Sequence, residues 1–372
     1  MPFSLTRRRF AGAALLTTAL PAAARSAKPR ATRVYIGTQG KTIVSARFDL
    51  RTGTFSALDT AAQVERPTWV IAHPSKPLLY AVSETGNDGV PQGKVLGFAI
   101  SGTGALRPLA SPDSGGGGPT HLTLDPVSNT LFAAHYGTGH IAALPIAANG
   151  TPGPVASKQQ DIGSGPSPRQ KSAHAHGSAL DPSGRVLAVA DLGADRVFLY
   201  RFDRRTRALV PDPATLEVPA GHGPRHLAFD PQGQFLFLNT ELVPELRVYR
   251  WNGGKPVLVD TLSTLAAPLE KASGAELRVS NDGRFVYVSN RVEDSIAGYA
   301  IDRATGKLRE ITRVKTDKTP WSFTIAPDGR WLLATNQGAG TITVHARDPK
   351  TGALSPASQS LAVEKPTSLA FF

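Results

Sequence analysis

Hydrophobic and polar positions follow one repeating unit along most of the chain. Each copy opens with one or two small or polar residues, continues into a short apolar strand, turns at a step with Pro or Gly, and forms a second apolar strand ending in polar residues. Successive turns lie about 46–56 residues apart, which is the scale of a four-stranded propeller blade. Six copies are complete, and they open at Pro67, Pro119, His174, Pro224, Gly274 and Pro320.

A seventh copy is divided between the two ends of the chain. Residues 366–372 match the opening strand of a blade, whereas residues 34–38 match a second strand and residues 43–48 a third. A C-terminal strand would therefore complete a blade begun near the N-terminus, and this closure removes exposed strand edges. We predict an all-β fold: a seven-bladed β-propeller with four-stranded blades. Two stacked β domains are the alternative, which the divided repeat disfavours.

The first 27 residues have a different pattern, which is typical of an export signal. A charged start precedes an apolar run over residues 10–20 and then small residues with A-x-A-like cleavage options. The string Thr6-Arg7-Arg8-Arg9-Phe10 resembles the twin-arginine consensus. The run is too short for a stable membrane span, although an uncleaved interfacial anchor is an alternative. We therefore predict a signal over residues 1–27, a single propeller domain over residues 28–372, and a periplasmic or secreted location.

Composition narrows the possible chemistry. The 36 Gly and 30 Pro suit many short strands joined by turns, and the absence of Cys excludes disulfides, zinc–cysteine sites and a thiol nucleophile. The net charge is +12, and four arginines without any acidic residue in the signal leave +8 for the rest. The basic residues are scattered, so we expect no nucleic acid partner. A basic cleft for a small anionic ligand is the better interpretation.

Polar residues on the opening strands are the candidates for chemistry, because in a propeller these strands line the central channel. Three successive copies carry the pairs His174 and His176, Arg225 and His226, and Glu276 and Arg278. The ends of the second strands add Asp191, Glu241, Asn290, Arg291, Asn336 and Gln337. By contrast, the turn residues Asp125, Asp181 and Asp230 each precede a proline, and turn capping explains them.

Several of these segments resemble the lactonase propellers, a family that includes bacterial 6-phosphogluconolactonases and fungal carboxymuconate-lactonizing enzymes. The resemblance covers essentially the whole chain after the signal. It rests above all on residues 174–185 running into 191–197, on residues 223–231, and on Glu276-Leu-Arg-Val-Ser280 leading to Val288-Ser-Asn-Arg291. It implies a site made of His174 or His176, Arg225, Glu241 and Arg278.

Two departures from the family pattern concern specificity. Thr240 stands where the family usually has Asn before the glutamate, and Trp321 follows Pro320 where an Arg is often found. If that Arg binds phosphate, Trp321 makes a phosphorylated substrate doubtful and offers a flat ring instead. We assign Arg225, Arg278, Glu276, Trp321 and Asn290 to substrate binding.

The predicted function is that of an exported lactonase that opens a sugar lactone. His174 or His176 and Glu241 would assist attack by water, and the arginines would bind the anion or stabilise the oxyanion. We expect no cofactor and no metal, and a monomer. The alternatives are a non-catalytic ligand- or protein-binding propeller, because fold does not decide function, and a muconate-type lactonizing cycloisomerase. A loop over residues 166–176, with Arg169 and Lys171, is a candidate cover for the channel mouth.

Overall fold

The structure is a computed structural model that describes residues 1–2, 31–90 and 92–372. Nearly all of the predicted signal therefore lies outside the described residues. The described part consists of thirty β-strands in seven sheets, without a helix. Accordingly, none of it forms a helix long and apolar enough to cross a membrane.

We number the blades by the order of their inner strands along the chain, so the first four strands belong to blade 7. These strands are β1 (Ala31–Thr38), β2 (Thr42–Asp49), β3 (Thr54–Phe55) and β4 (Asp59–Gln63). Blade 1 contains β5 (Val70–Ala72), β6 (Leu78–Ser83), β7 (Lys94–Ile100) and β8 (Leu106–Pro108). Blade 2 contains β9 (Pro119–Asp125), β10 (Thr130–His135), β11 (His140–Pro145) and β12 (Ser157–Gln160).

The remaining blades follow in chain order. Blade 3 contains β13 (Ala175–Leu180), β14 (Val186–Asp191), β15 (Arg196–Phe202), β16 (Leu209–Pro211) and β17 (Leu216–Glu217). Blade 4 contains β18 (Pro224–Phe229), β19 (Phe235–Thr240), β20 (Glu245–Arg250) and β21 (Val257–Ser263). Blade 5 contains β22 (Gly274–Val279), β23 (Phe285–Asn290), β24 (Ser295–Ile301) and β25 (Leu308–Lys315). Blade 6 contains β26 (Pro320–Ile325), β27 (Trp331–Asn336), β28 (Thr341–Arg347) and β29 (Leu354–Ala362), and β30 (Pro366–Phe371) completes blade 7.

Each sheet is an antiparallel meander whose strands run outward in chain order, except that β30, the last strand of the chain, is the innermost strand of blade 7. The seven inner strands β5, β9, β13, β18, β22, β26 and β30 each contact the next, and β30 contacts β5, so the ring is closed. β30 pairs antiparallel with β1, with Ile36 opposite Leu369. The prediction of a seven-bladed propeller closed by strands from both ends is confirmed, and the alternative of two stacked domains is wrong.

The core lies between the blades rather than in the channel. Within the described residues, seven apolar clusters each join the facing sides of two neighbouring blades. Both faces of every middle strand are therefore covered, which explains why the second strand of a blade reads as a continuous apolar run. Burial of these faces leaves the channel free for polar side chains.

Candidate active site

One position of the repeat supplies a ring of side chains at one end of the channel. It is the residue that directly follows the second strand of each blade, and we call these seven residues the mouth ring: Gln39, Glu84, Tyr136, Leu192, Glu241, Arg291 and Gln337. The backbone N–H of each donates to a carbonyl at the entry of the same blade's inner strand, as Glu241 does to Gly223 at 2.7 Å and Arg291 to Ser273 at 2.8 Å. This repeated hydrogen bond holds the seven residues at one level.

A β-bulge near the start of the inner strands supplies a second set of side chains. The pairing between β18 and β19 skips Arg225, that between β13 and β14 skips His176, and that between β26 and β27 skips Trp321. A bulge re-aims the extra residue relative to strict alternation. It also aligns Ala175 with Pro224, so the blade 3 copy opens one residue later than the sequence repeat suggested.

Glu241 joins the two sets. Its Oε2 lies 2.8 Å from Nε of Arg225 and its Oε1 lies 2.8 Å from Nη2 of Arg291. From outside the ring, Nη1 of Arg169 lies 2.5 Å from Oε1. Glu241 and Arg225 are both only 1% exposed, and charges buried this deeply are tolerated only when they are paired.

The charges around Glu241 fix its protonation. Burial alone would raise the pKa of this carboxyl, but Arg291 and Arg225 outweigh burial and hold the pKa well below its usual range. Burial, with the nearby Arg291, also lowers the pKa of Arg225 to about 10, which leaves the guanidinium charged at neutral pH. Glu241 is therefore a permanent anion that positions arginines, not a group that exchanges protons near pH 7.

His176 is the imidazole that faces the carboxylate of Glu241. Its Nε2 lies 3.9 Å from Oε2 of Glu241, and its Nδ1 has no hydrogen-bond partner within the described part of the chain. Burial and then Arg225 hold the pKa of His176 well below the usual range, so the ring is neutral and can accept a proton. His174 lies further out, where it stacks on Tyr136 at 4.5 Å between ring centroids.

Trp321 contacts the arginines of the cluster. The guanidinium carbon of Arg291 lies 4.8 Å from the centroid of its ring, and that of Arg225 lies 5.7 Å away. These are cation–π distances. The half-buried indole therefore stabilises the two cations, and the substrate contact expected of it stays a prediction.

Two other residues assigned to substrate binding belong to a deeper cluster. Oε1 of Glu276 accepts from Nδ1 of His226 at 2.9 Å, and its Oε2 accepts from Oγ of Ser322 at 2.7 Å. Burial is outweighed by Arg278 and His226, which lower the pKa of Glu276. Arg278 lies 3.6 Å from the same carboxylate. It lines a cavity of about 550 Å³ that opens at the turn end of the channel, away from the mouth ring.

Asn290 does not reach either cluster. Its amide donates to the carbonyl of Thr264 at 2.8 Å, and its Oδ1 accepts from the hydroxyl of Thr264 at 2.7 Å. It is fully buried. The side chain thus ties the loop after β21 to blade 5, and nothing in its contacts connects it with a substrate.

Three residues that were not assigned to the site from the sequence lie around Glu241 or its arginine partners. Arg291 takes the place that the resemblance gave to Arg278, and its signal was available, because it directly follows a second strand as Glu241 does. Tyr136 occupies the same position in blade 2. Arg169 comes from the loop over residues 166–176, and its Nη2 lies 3.1 Å from the hydroxyl of Tyr136. This loop therefore does reach the mouth ring.

The described residues contain no group of three or more His, Asp or Glu side chains arranged to hold a metal ion. The carboxylates of the site are instead saturated by arginine, histidine and hydroxyl donors. The mouth ring and the inner-strand residues beside it together offer two fixed guanidinium groups, a neutral imidazole and a buried anion. That combination can stabilise developing negative charge and accept a proton.

The chain is similar to known proteins along most of its length. The chain is 28% identical to the 6-phosphogluconolactonase of Bacillus subtilis over 346 residues, which cover 91% of this chain and 97% of the relative. It is 27% identical to the 6-phosphogluconolactonase of Formosa agariphila over 332 residues, covering 87% and 94%. The solved structure of the periplasmic gluconolactonase of Pseudomonas aeruginosa superposes with a TM-score of 0.86 at 31% identity, covering 92% of this chain and 99% of that one.

The family assignment follows from the length of the match as well as from these relatives. The family described as lactonase, 7-bladed beta-propeller, matches residues 33–371. The match begins at the strand that opens blade 7 and ends at the strand that closes it, so it spans the whole ring. The chain belongs to the lactonase family of seven-bladed β-propellers.

Proposed function

We propose that this protein hydrolyses the ester bond of a sugar lactone at the mouth ring. The observation that carries the proposal is the buried Glu241, held between Arg225 and Arg291 beside the neutral His176. Lactone opening needs a base for water and a cation for the oxyanion, and this cluster holds both. The relatives named as 6-phosphogluconolactonase and gluconolactonase act on substrates of this class by name.

Each residue of this cluster has its own role in the proposed reaction. The His176 imidazole accepts a proton from water as the water oxygen attacks the carbonyl carbon, and Glu241 at 3.9 Å stabilises the resulting imidazolium. Arg291 and Arg225 stabilise the oxyanion, because their charge is already in place before it develops. Glu241 keeps both guanidinium groups in position, and Trp321 supports them from the side.

The substrate we propose is an unphosphorylated sugar lactone. Trp321 occupies the inner-strand position equivalent to Arg225, where family members often have a further arginine, and its ring is engaged with Arg291 at 4.8 Å. One cation that could meet a phosphate is thereby absent from blade 6. Arg169, 47% exposed at the mouth, is the remaining candidate contact for an anionic group.

We further propose that the protein is exported. The support is the sequence of residues 1–27, in which Arg7, Arg8 and Arg9 precede an apolar run, and the periplasmic gluconolactonase of Pseudomonas aeruginosa is a related protein. Replacing Arg7, Arg8 and Arg9 with lysine is expected to retain the protein in the cytoplasm of a host with the twin-arginine pathway. Fractionation of wild type and variant measures this, and equal export of both would refute the assignment of the route.

Hydrolysis is tested by following acid release from D-glucono-1,5-lactone and from its 6-phosphate above the spontaneous rate. We expect the unphosphorylated lactone to be the better substrate, and H176A and R291Q to lower kcat by about 100-fold or more. H174A should retain most activity. R309Q, on the exposed part of β25, is the matched control for the arginine change and should behave as wild type.

Two results would overturn the proposal. If no lactone is hydrolysed above background while gluconate raises the melting temperature, the protein is a binding propeller. If the lactones are inert but a muconate-type diacid is converted to a lactone, the chemistry runs in the lactonizing direction. Equal activity of R291Q and R309Q would place the reaction away from the mouth ring.

A further inference from the structure

Blade 1 carries a second, largely enclosed carboxyl in the mouth ring, which the mechanism above does not use. Glu84 follows β6 as Glu241 follows β19, and its N–H donates to the carbonyl of Arg66 at 3.0 Å, the bond that fixes every member of the ring. Its side chain is 13% exposed. Blades 1 and 4 are three steps apart in a ring of seven, so the two carboxyls enter the mouth from opposite sides.

The partner of each carboxyl comes from the same place in its blade. The hydroxyl of Thr68 donates to Oε2 of Glu84, and Thr68 precedes Glu84 by 16 residues. Arg225 likewise precedes Glu241 by 16 residues. One construction thus occurs twice, once with a charged guanidinium against the carboxyl and once with a neutral hydroxyl.

The other neighbours of Glu84 do not replace the missing charge. Its Oε1 accepts from Nδ2 of Asn87 at 2.9 Å, while Nη2 of Arg66 remains 3.8 Å away and is itself 37% exposed. Burial, the largest effect, therefore raises the pKa of Glu84, and the hydrogen bonds and Arg66 offset it only in part. The charge of Arg225, which lies against Glu241, also acts in the same direction on Glu84.

Two carboxyls whose surroundings push their protonation apart are the usual arrangement for dividing acid and base work in one site. Glu241 remains an anion and cannot give a proton. Glu84 is the carboxyl that can hold one at the mouth. We propose that Glu84 is a catalytic residue of the lactone hydrolysis proposed above, on which this inference rests, and that it donates a proton to the ring oxygen as it leaves.

The proton balance is complete with the residues present. Water adds to the carbonyl carbon and its proton passes to His176, which leaves a tetrahedral oxyanion beside the arginines. Its collapse restores the C=O bond and breaks the bond to the ring oxygen, which takes the carboxyl proton of Glu84. The product is a hydroxy acid. Proton return from His176 to Glu84 through solvent restores the enzyme, and ionisation of the product releases one proton.

The test compares E84Q with wild type on two lactones with different leaving groups. On D-glucono-1,5-lactone the leaving group is an alkoxide that needs a proton, so E84Q is expected to lower kcat by about 100-fold or more with little change in KM. On dihydrocoumarin the leaving group is a phenoxide that can leave without one, and E84Q should lose less than tenfold. R291Q should lose activity on both lactones, because each passes through an oxyanion.

The pH profile gives a second readout, which a purely structural role for Glu84 would not move. A general acid must hold its proton, so the wild-type kcat on gluconolactone should fall on the alkaline side, and E84Q should lack that fall. E84D should recover part of the rate. E65Q, a matched change at an exposed glutamate of the same blade, should match wild type.

Failure of this inference differs from failure of the proposed function. A wild type inactive on every lactone would refute both. An active wild type with E84Q equally active, or with E84Q reduced by the same factor on both lactones and an unchanged pH profile, would refute only the role of Glu84. Melting temperatures of E84Q and E65Q within a few degrees of wild type exclude misfolding as the cause of any loss.

Discussion

Thr68 and Arg225 show how one repeated position contributes to the protonation of two carboxyls. Both occupy the second position of an inner-strand segment, and both face the glutamate that follows the second strand of their own blade. Arg291 and Arg225 together outweigh burial at Glu241, whereas the hydroxyl of Thr68 offsets burial at Glu84 only in part, so the pKa values of the two carboxyls change in opposite directions. The protonation of each carboxyl therefore depends in part on which residue occupies the inner-strand position that faces it.

A second pair of carboxyls, Asp161 and Asp191, is buried behind the His174–His176 segment. Asp191 accepts from the backbone N–H groups of His174 and Ala194, both at 2.8 Å, and Asp161 accepts from the hydroxyl of Tyr200. Burial and then the charge of Asp191 raise the pKa of Asp161 well above its usual range. Asp161 therefore stays protonated in the folded protein where it would ionise in the unfolded chain.

The proton held by Asp161 makes the folding stability depend on pH in a definite direction. Because the folded state holds the Asp161 proton more tightly than the unfolded state, this residue favours folding at low pH. Its contribution is lost as pH rises from the ordinary Asp pKa to the raised pKa, at up to about 1.4 kcal/mol per pH unit. D161N cannot ionise and keeps an acceptor for Tyr200, so above that window it is expected to be more stable than wild type.

Urea unfolding of wild type and D161N between pH 4 and pH 8 measures this difference. The gap in the free energy of unfolding should widen in favour of D161N as pH rises. D59N, a change at an exposed aspartate of β4, corrects for the general loss of one acidic side chain. A gap that stays constant, or that narrows with rising pH, would contradict a proton held at Asp161.

At the scale of elements, the outer hairpins connect each blade to its neighbour. In three blades the hydroxyl of a buried tyrosine donates to the carbonyl of a hairpin glycine in the next blade, as Tyr287 does to Gly352 at 2.7 Å. Gly352 adopts a φ of +77°, and an added Cβ would lie 2.4 Å from Cδ1 of Phe285. The glycine is required both by the turn and by the close approach of blade 5.

G352A is therefore expected to lower the free energy of unfolding by about 1–3 kcal/mol, from the left-handed backbone and the contact with Phe285. G102A is its control in the corresponding hairpin of blade 1, because Gly102 has no neighbour within 4 Å of an added Cβ and no positive φ. Thermal and urea unfolding of both variants measure the difference in the free energy of unfolding. A G352A protein as stable as G102A would show that the hairpin is not held between blades.

At the scale of the whole molecule, blade 7 closes the ring, so that every blade packs against a neighbour on both sides. β30 is hydrogen-bonded to β1, and Arg33 and Phe372 exchange backbone hydrogen bonds of 2.9 and 2.8 Å. Thr367 donates to the carbonyl of Thr68 at 2.8 Å, which links the closing strand to blade 1. Loss of this strand would expose the edge of β1 and the facing sides of two blades.

A truncation after residue 363 is expected to give aggregated or unfolded protein, since an open edge and an unpaired apolar face remain. A circular permutant that joins residue 372 to residue 31 through a short linker and opens between residues 350 and 351 keeps every strand pair. It should retain a cooperative melt within several degrees of the unpermuted chain. Circular dichroism measures both, and a stable truncated propeller would show that closure is dispensable.

The sequence by itself determined the architecture. Strand length, turn residues and a period near 50 are local properties of the chain, and seven copies of one pattern leave a single ring as the way to cover every apolar face. The divided seventh copy predicted the closure. Arg225 and Glu241 could be named because they belong to the short segments that resemble the lactonase propellers.

Only the tertiary structure decided which polar residues share a site. Strict alternation gave no sign of the bulges that bring His176, Arg225 and Trp321 to equivalent positions. Arg278 and Asn290 were plausible partners of Glu241. The register of blade 5 instead places Arg278 beside Glu276 and Asn290 beside Thr264, and it brings Arg291 to Glu241. Which charges meet depends on register and on distances across seven blades, and therefore on contacts between residues far apart in the chain.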